Sequence, residues 1–335
     1  MELIVHIGQG KTGSSSIQKT LHQNKDLLTS VNTVYVGLNF ELAPKKVADW
    51  QKAGAWNELL YAEDNVKQLA HVIDVNLSSL SKQGVTKVIW SNESLFASPE
   101  VVIPALNAIK NKGIKISVIC YIRRHDSWAR SAYLQWGVKH KAEAGVVKPF
   151  SEWIANRKIH FSSALEQWHQ FDCENVFVRN FDETKNLIDD FSQCAALPTD
   201  DIKPIRDNDT PGNVALNLWA LYNSQFEEPM LPHDMQSFLD EAGILSKSYH
   251  SVDLQHLFPS NEDLHGVLNK CSADIEKINA IFRENNQAEF SNKALSNKNY
   301  NVELPGLICG LLDMIKFQHA KLENFETRLS KLEEK

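Results

Sequence analysis

Apolar and polar positions follow two rhythms along the first half of the chain. Short unbroken runs rich in β-branched residues, Leu3–Ile7, Thr33–Val36, Thr86–Trp90, Lys115–Ile122 and Asn175–Arg179, read as five strands. Between them, Ser14–Leu28, Asn65–Leu80, Val101–Lys112, Asp126–Lys141 and Ser163–Phe171 place apolar residues on one helical face. This βαβα alternation predicts an α/β fold, a mainly parallel sheet flanked by helices on both faces. After about residue 195 the strand pattern stops, and Val214–Tyr222, Met235–Ala242, Asn261–Arg283 and Leu307–Leu332 read as helices. The polar stretch Asn285–Asn301 reads as a loop or linker. The expected division is therefore an α/β core over 1–200 and a mostly helical C-terminal extension over 201–335, packed on the core. In the last helix Ile308, Ile315, Leu322 and Leu329 recur every seven residues. That stripe leaves two readings open: a helix docked on the body, which is preferred, or a homodimer formed through it.

Composition narrows the class. With 35 basic and 42 acidic side chains the net charge is -7, which argues against a general nucleic-acid binder. No apolar run approaches the roughly 18–20 residues needed to span a bilayer. Leu3–Ile7 is too short for a secretory leader, so a cytoplasmic location is expected. The five cysteines are scattered without CxxC spacing, which argues against both a disulfide scaffold and a zinc site.

The densest chemistry lies just after the first strand, in Gly8-Gln-Gly-Lys-Thr-Gly-Ser-Ser-Ser16. A buried strand running through glycines into a helix aims backbone N–H groups and the helix dipole at one point, an anion site. Ser14, Ser15 and Ser16 add hydroxyls and Lys11 a positive charge. A nucleoside-triphosphate P-loop would require glycine five residues before Gly10, and that position is Val5. A second constellation closes the fourth strand, where Arg123 and Arg124 are followed by Ser131 eight residues after Arg123. Guanidinium and hydroxyl at that spacing can converge on one phosphate. From Lys115 to Lys148 there are seven basic and two acidic side chains, a basic island in an acidic protein.

Lys11-Thr12-Gly13-Ser14-Ser15-Ser16 resembles the 5′-phosphosulfate loop of sulfotransferases that use 3′-phosphoadenosine-5′-phosphosulfate (PAPS), most closely their bacterial branch. Arg123 and Ser131 resemble the 3′-phosphate motif of the same family. The resemblance covers residues 1–195 best and implies the P-loop-like sulfotransferase fold. It implies a cofactor site made of Gly10, Lys11, Thr12, Gly13, Ser14, Ser15, Ser16, Arg123 and Ser131, with adenosine 3′,5′-bisphosphate (PAP) as the product. Lys11 would stabilise the leaving phosphate, and no metal is required.

Sulfuryl transfer also needs a base for the acceptor hydroxyl. Glu93, beyond the third strand, matches in position and residue type, and Glu41, after the second strand, is its rival. His6 reads as a packed strand residue. The acceptor is expected to bear a hydroxyl, with a glycan or glycolipid as the candidate class. Two competing readings are a kinase or nucleotide hydrolase using Mg-ATP, and a non-catalytic nucleotide-binding protein.

Overall fold

The five apolar runs pair into one sheet. The structure is a computed structural model that describes residues 1–205, 213–231 and 254–291, with single positions between 307 and 329. Its strands are β1 (Glu2–His6), β2 (Thr33–Tyr35), β3 (Lys87–Ser91), β4 (Lys115–Ile122) and β5 (Asn175–Asn180). All pairings are parallel, in the order β2-β3-β1-β4-β5. The labelled helices are α1 (Ser14–Gln23), α2 (Lys25–Ser30), α3 (Asn65–Ser81), α4 (Pro99–Lys110), α5 (His125–Ala132), α6 (Ser162–His169), α7 (Leu187–Cys194) and α8 (Ser272–Glu284).

From β1 the chain first moves toward the β2 edge and then returns across the sheet to β5. With right-handed crossovers, that reversal puts α1 on one face and α3, α4 and α6 on the other. The burial pattern agrees. Ile4, Ile89, Ile119 and Tyr121 pack under Ile17 and Leu21 of α1 and Ile188 and Phe191 of α7. Their alternate neighbours Leu3, Val5, Val88, Trp90 and Val118 are also fully buried, so both faces are covered. The carboxyl ends of β3, β1 and β4 lie side by side, with His6 opposite both Ser91 and Ile119. Parallel sheets bind ligands at such a reversal of strand order.

Three helices differ from the sequence expectation. Ser14–Leu28 is split at Asn24, whose side chain donates to the Thr20 carbonyl at 2.8 Å and pairs with the Lys203 backbone in both directions at 3.0 Å. A side-chain amide that satisfies backbone groups in this way competes with the helix. Asp126–Lys141 becomes α5 followed by a π-helical segment, Tyr133–Lys139. There Asn223 Nδ2 donates to the Val138 and Lys139 carbonyls at 2.5 and 3.2 Å, partnering groups that a widened turn leaves over. Asn261–Arg283 breaks at Cys271 into Asn261–Lys270 and α8. The expected helix Met235–Ala242 and residues 292–301 of the expected loop lie outside the described residues. Leu307–Leu332 is helical at each of its described positions.

The chain forms two compact units, each drawn from several stretches of sequence. The first joins Met1–His125, Ile159–Asp209 and Lys270–Asn292, and contains the whole sheet. The second joins Asp126–Lys158, Thr210–Asn269 and Lys293–Lys335. These groupings run differently from a single division near residue 200. Residues 126–158 group with later sequence, while α8 groups with the sheet. Among the described residues no helix is long and apolar enough to cross a membrane.

Candidate functional site

Beyond His6 the chain follows β4 before it turns. The Ile7 N–H donates to the Ile119 carbonyl at 3.0 Å and the Gln9 N–H to the Tyr121 carbonyl at 3.3 Å. The Thr12 hydroxyl then donates back to the Gln9 carbonyl at 2.5 Å and closes the loop. Two residues take left-handed backbone, Lys11 at φ 70° and Gly13 at φ 80°. For lysine this costs about 1–2 kcal/mol, a strain of the kind that collects at functional sites. Gly13 is required twice over, because a Cβ there would also collide with the Leu187 side chain. At Gly8 a Cβ would lie 2.8 Å from both His6 Nε2 and Ser14 Oγ.

The Gly13 carbonyl accepts from the N–H groups of Ser16 and Ile17 at 3.0 and 3.2 Å, which starts α1. The N–H groups of Gly13, Ser14 and Ser15 have no acceptor among the described residues, as expected at a helix start. Ser14 Oγ and Gln9 Nε2 are buried there, and both lack a hydrogen-bond partner among the described residues. Buried polar atoms of that kind are rare and call for an explanation. Beneath the loop His6 is fully buried, with Nδ1 at 2.7 Å from Ser91 Oγ. Burial lowers its pKa to about 3, so the imidazole is neutral at physiological pH.

The tip of β4 is tied directly to this loop. The Arg123 N–H donates to Gln9 Oε1 at 2.8 Å, and its Nη1 donates to the Lys11 carbonyl at 3.0 Å. Its guanidinium lies 5.2 Å from the centre of the Phe181 ring and 3.6 Å from Asp182 Oδ1. Arg124 is buried; its N–H donates to Asp182 Oδ2 and its Nη1 to the Ser291 carbonyl, both at 2.8 Å. The two arginines thus differ in role: Arg123 reaches the loop, while Arg124 anchors the chain beside it.

On the other side of β1, Asn92 caps a short 3-10 turn that carries Glu93. Glu93 is half-buried, and its Oε2 accepts from Gln18 Nε2, on α1, at 3.0 Å. Its Oε1 has no hydrogen-bond partner among the described residues. Glu41 is occupied differently. Both its oxygens accept backbone N–H groups, of Leu38 at 2.9 Å and Asn39 at 2.6 Å, and so hold its own turn. Burial first, and then the charges of Glu41 and Glu93, raise the Tyr35 pKa above the ordinary phenol value.

The structure therefore brings the loop residues Gly10 to Ser16 together with Arg123 and Glu93 at three adjacent strand ends. Thr12 turns its hydroxyl into the loop. Ser131 lies on α5 within the second unit. The basic island separates into unrelated parts. Lys115, at the opposite end of β4, pairs with Glu174 at 3.5 Å, and Lys148 with Glu143 at 2.9 Å. Lys141 is bound to the carbonyls of Gly145 and Phe226. Gln9, Gln18, Phe181 and Asp182 are additions that the sequence pattern did not single out. Gln9 lies within the glycine-rich loop itself, and Gln18 one helical turn beyond Ser14 on a helix already placed at the site. No protein-family model and no curated protein matches this chain.

Proposed function

We propose that the chain is a sulfotransferase that moves the sulfuryl group of PAPS to a hydroxyl acceptor, with a glycan or glycolipid as the candidate class. The observation that carries this reading is the pair of orphaned buried groups, Ser14 Oγ and Gln9 Nε2, in a loop that also presents the N–H groups of Gly13, Ser14 and Ser15. Such donors, placed at the start of a ten-residue helix, suit a phosphate-like oxyanion. The bound donor would supply an activated sulfuryl group on a 5′-phosphate leaving group.

The chain's own residues have distinct tasks in this reading. The loop amides and the Ser14 hydroxyl hold the 5′-phosphate, and the Lys11 ammonium offsets charge that builds on the leaving oxygen. Arg123, which reaches the loop through the Lys11 carbonyl, is assigned to the 3′-phosphate on the family motif. Glu93 is the base, since one of its oxygens is steadied by Gln18 and the other is open to receive the acceptor's proton. Glu41 is the weaker candidate because both of its oxygens already serve backbone N–H groups.

Thermal melting with PAP, beside ATP with Mg²⁺, tests the reading. At free ligand about 100 times the dissociation constant, PAP should add about 2.7 kcal/mol of stability. Ser14→Ala and Arg123→Ala should each reduce the shift. A shift with ATP and Mg²⁺ alone would instead point to a kinase or nucleotide hydrolase, and no shift with either nucleotide would overturn a nucleotide site.

A further inference from the structure

We infer that the helical segment at residues 307–329 pairs with the same segment of a second copy as a parallel two-stranded coiled coil. The sequence places Ile308, Ile315, Leu322 and Leu329 at a positions, and Leu311, Gln318, Phe325 and Leu332 at d positions. Seven of these eight seam positions are apolar, the pattern by which one helix packs along another in a coiled coil. Four described members of this stripe are uncovered: Ile315, Leu322, Phe325 and Leu329 are 57–60% exposed. Every described position from Lys321 to Leu329 is exposed, on the apolar and polar sides alike. An isolated helix with a bare apolar stripe is marginal in water, and a second helix both stabilises it and removes the stripe from solvent.

Charge identifies the occupant and its direction. Lys321 and Arg328 fall at g positions, Glu326 and Glu333 at e positions. In a parallel pair each g side chain faces the e side chain five residues further along the other strand. Lys321 then meets Glu326 of the second copy and Arg328 meets Glu333, twice over by symmetry. In an antiparallel pair g faces g and e faces e, so overlapping charged heptads set like against like. The segment is thus complementary to itself in one orientation.

The test is the solution mass of the full chain by sedimentation or light scattering at micromolar concentration. The expected value is twice 37.9 kDa. Leu322→Glu should halve it. Lys321→Glu with Arg328→Glu, and separately Glu326→Lys with Glu333→Lys, should each give monomers, and mixing the two should restore the dimer. A monomeric parent chain would overturn the inference. So would a dimer that survives Leu322→Glu, because its interface would lie elsewhere. Charge-reversed variants that remain dimeric would overturn the parallel arrangement. A monomer whose melting temperature falls with Leu322→Glu would show the stripe docked on its own chain.

Discussion

Glu93 and His6 are both partly or wholly removed from water, and their neighbours decide what each can do. Glu93 keeps one oxygen on Gln18; under the proposed function, Glu93→Gln should preserve PAP binding while turnover falls by about 10²–10⁴. Unchanged turnover would move the base to Glu41. In the same reading Gln18→Leu should lower kcat while leaving PAP binding unaltered, and Gln18→Glu should not restore it; an unchanged kcat in Gln18→Leu would reduce Gln18 to a packing role. His6 sets a pH dependence of stability. Its folded pKa is about 3, against 6.5 for a free imidazole. Between those values the unfolded chain binds a proton that the folded chain refuses. Stability from this group is therefore complete above about pH 6.5 and declines as pH falls toward 3, by about 1.4 kcal/mol per pH unit. Urea unfolding from pH 7 to 4 should show the decline, and His6→Gln should flatten it.

At the scale of elements, one carboxylate joins three parts of the first unit. Asp274 of α8 lies 2.7 Å from His125 Nε2 and accepts the N–H groups of Phe161 and Ser162 at 2.9 and 3.0 Å. It thereby satisfies the start of α6 and fixes the residue that follows the Arg123-Arg124 pair. Burial alone would raise its pKa. The hydrogen bonds from His125, Ser162 and Phe161 outweigh burial and hold it below the usual carboxylate range. Asp274→Ala leaves those donors unpaired and should cost about 3 kcal/mol in urea unfolding; a change within measurement error would show that water replaces the carboxylate. Strand β4 was readable residue for residue, because its apolar run is dictated by burial on both faces. The break at Asn24 was not, since its cause is a hydrogen bond to Lys203, 179 residues away.

For the whole molecule, the sheet-bearing unit includes Lys270–Asn292 although these residues come long after β5. A fragment ending at residue 200 would keep every strand yet lose Asp274 and the Ser291 carbonyl that receives Arg124. That fragment should show no cooperative urea transition by circular dichroism. A sharp transition with near-native midpoint would mean that α8 is dispensable to the sheet.

The amino-acid order alone determined the strands, most of the helices and the loop that opens α1, because each depends on local periodicity and on glycines and serines that are close neighbours in sequence. It also placed Glu93 and Arg123 at strand ends, since a strand's end can be read from where its apolar run stops. Only the tertiary structure decided which strands are adjacent, and so that Arg123 reaches the Lys11 carbonyl and Gln18 reaches Glu93. It also divided the apparent basic island, leaving Arg123 at the loop and Lys115 at the far end of its strand. The physical reason is that a side chain's charge and shape are properties of the residue, whereas its partner is set by distances between segments that lie far apart along the chain.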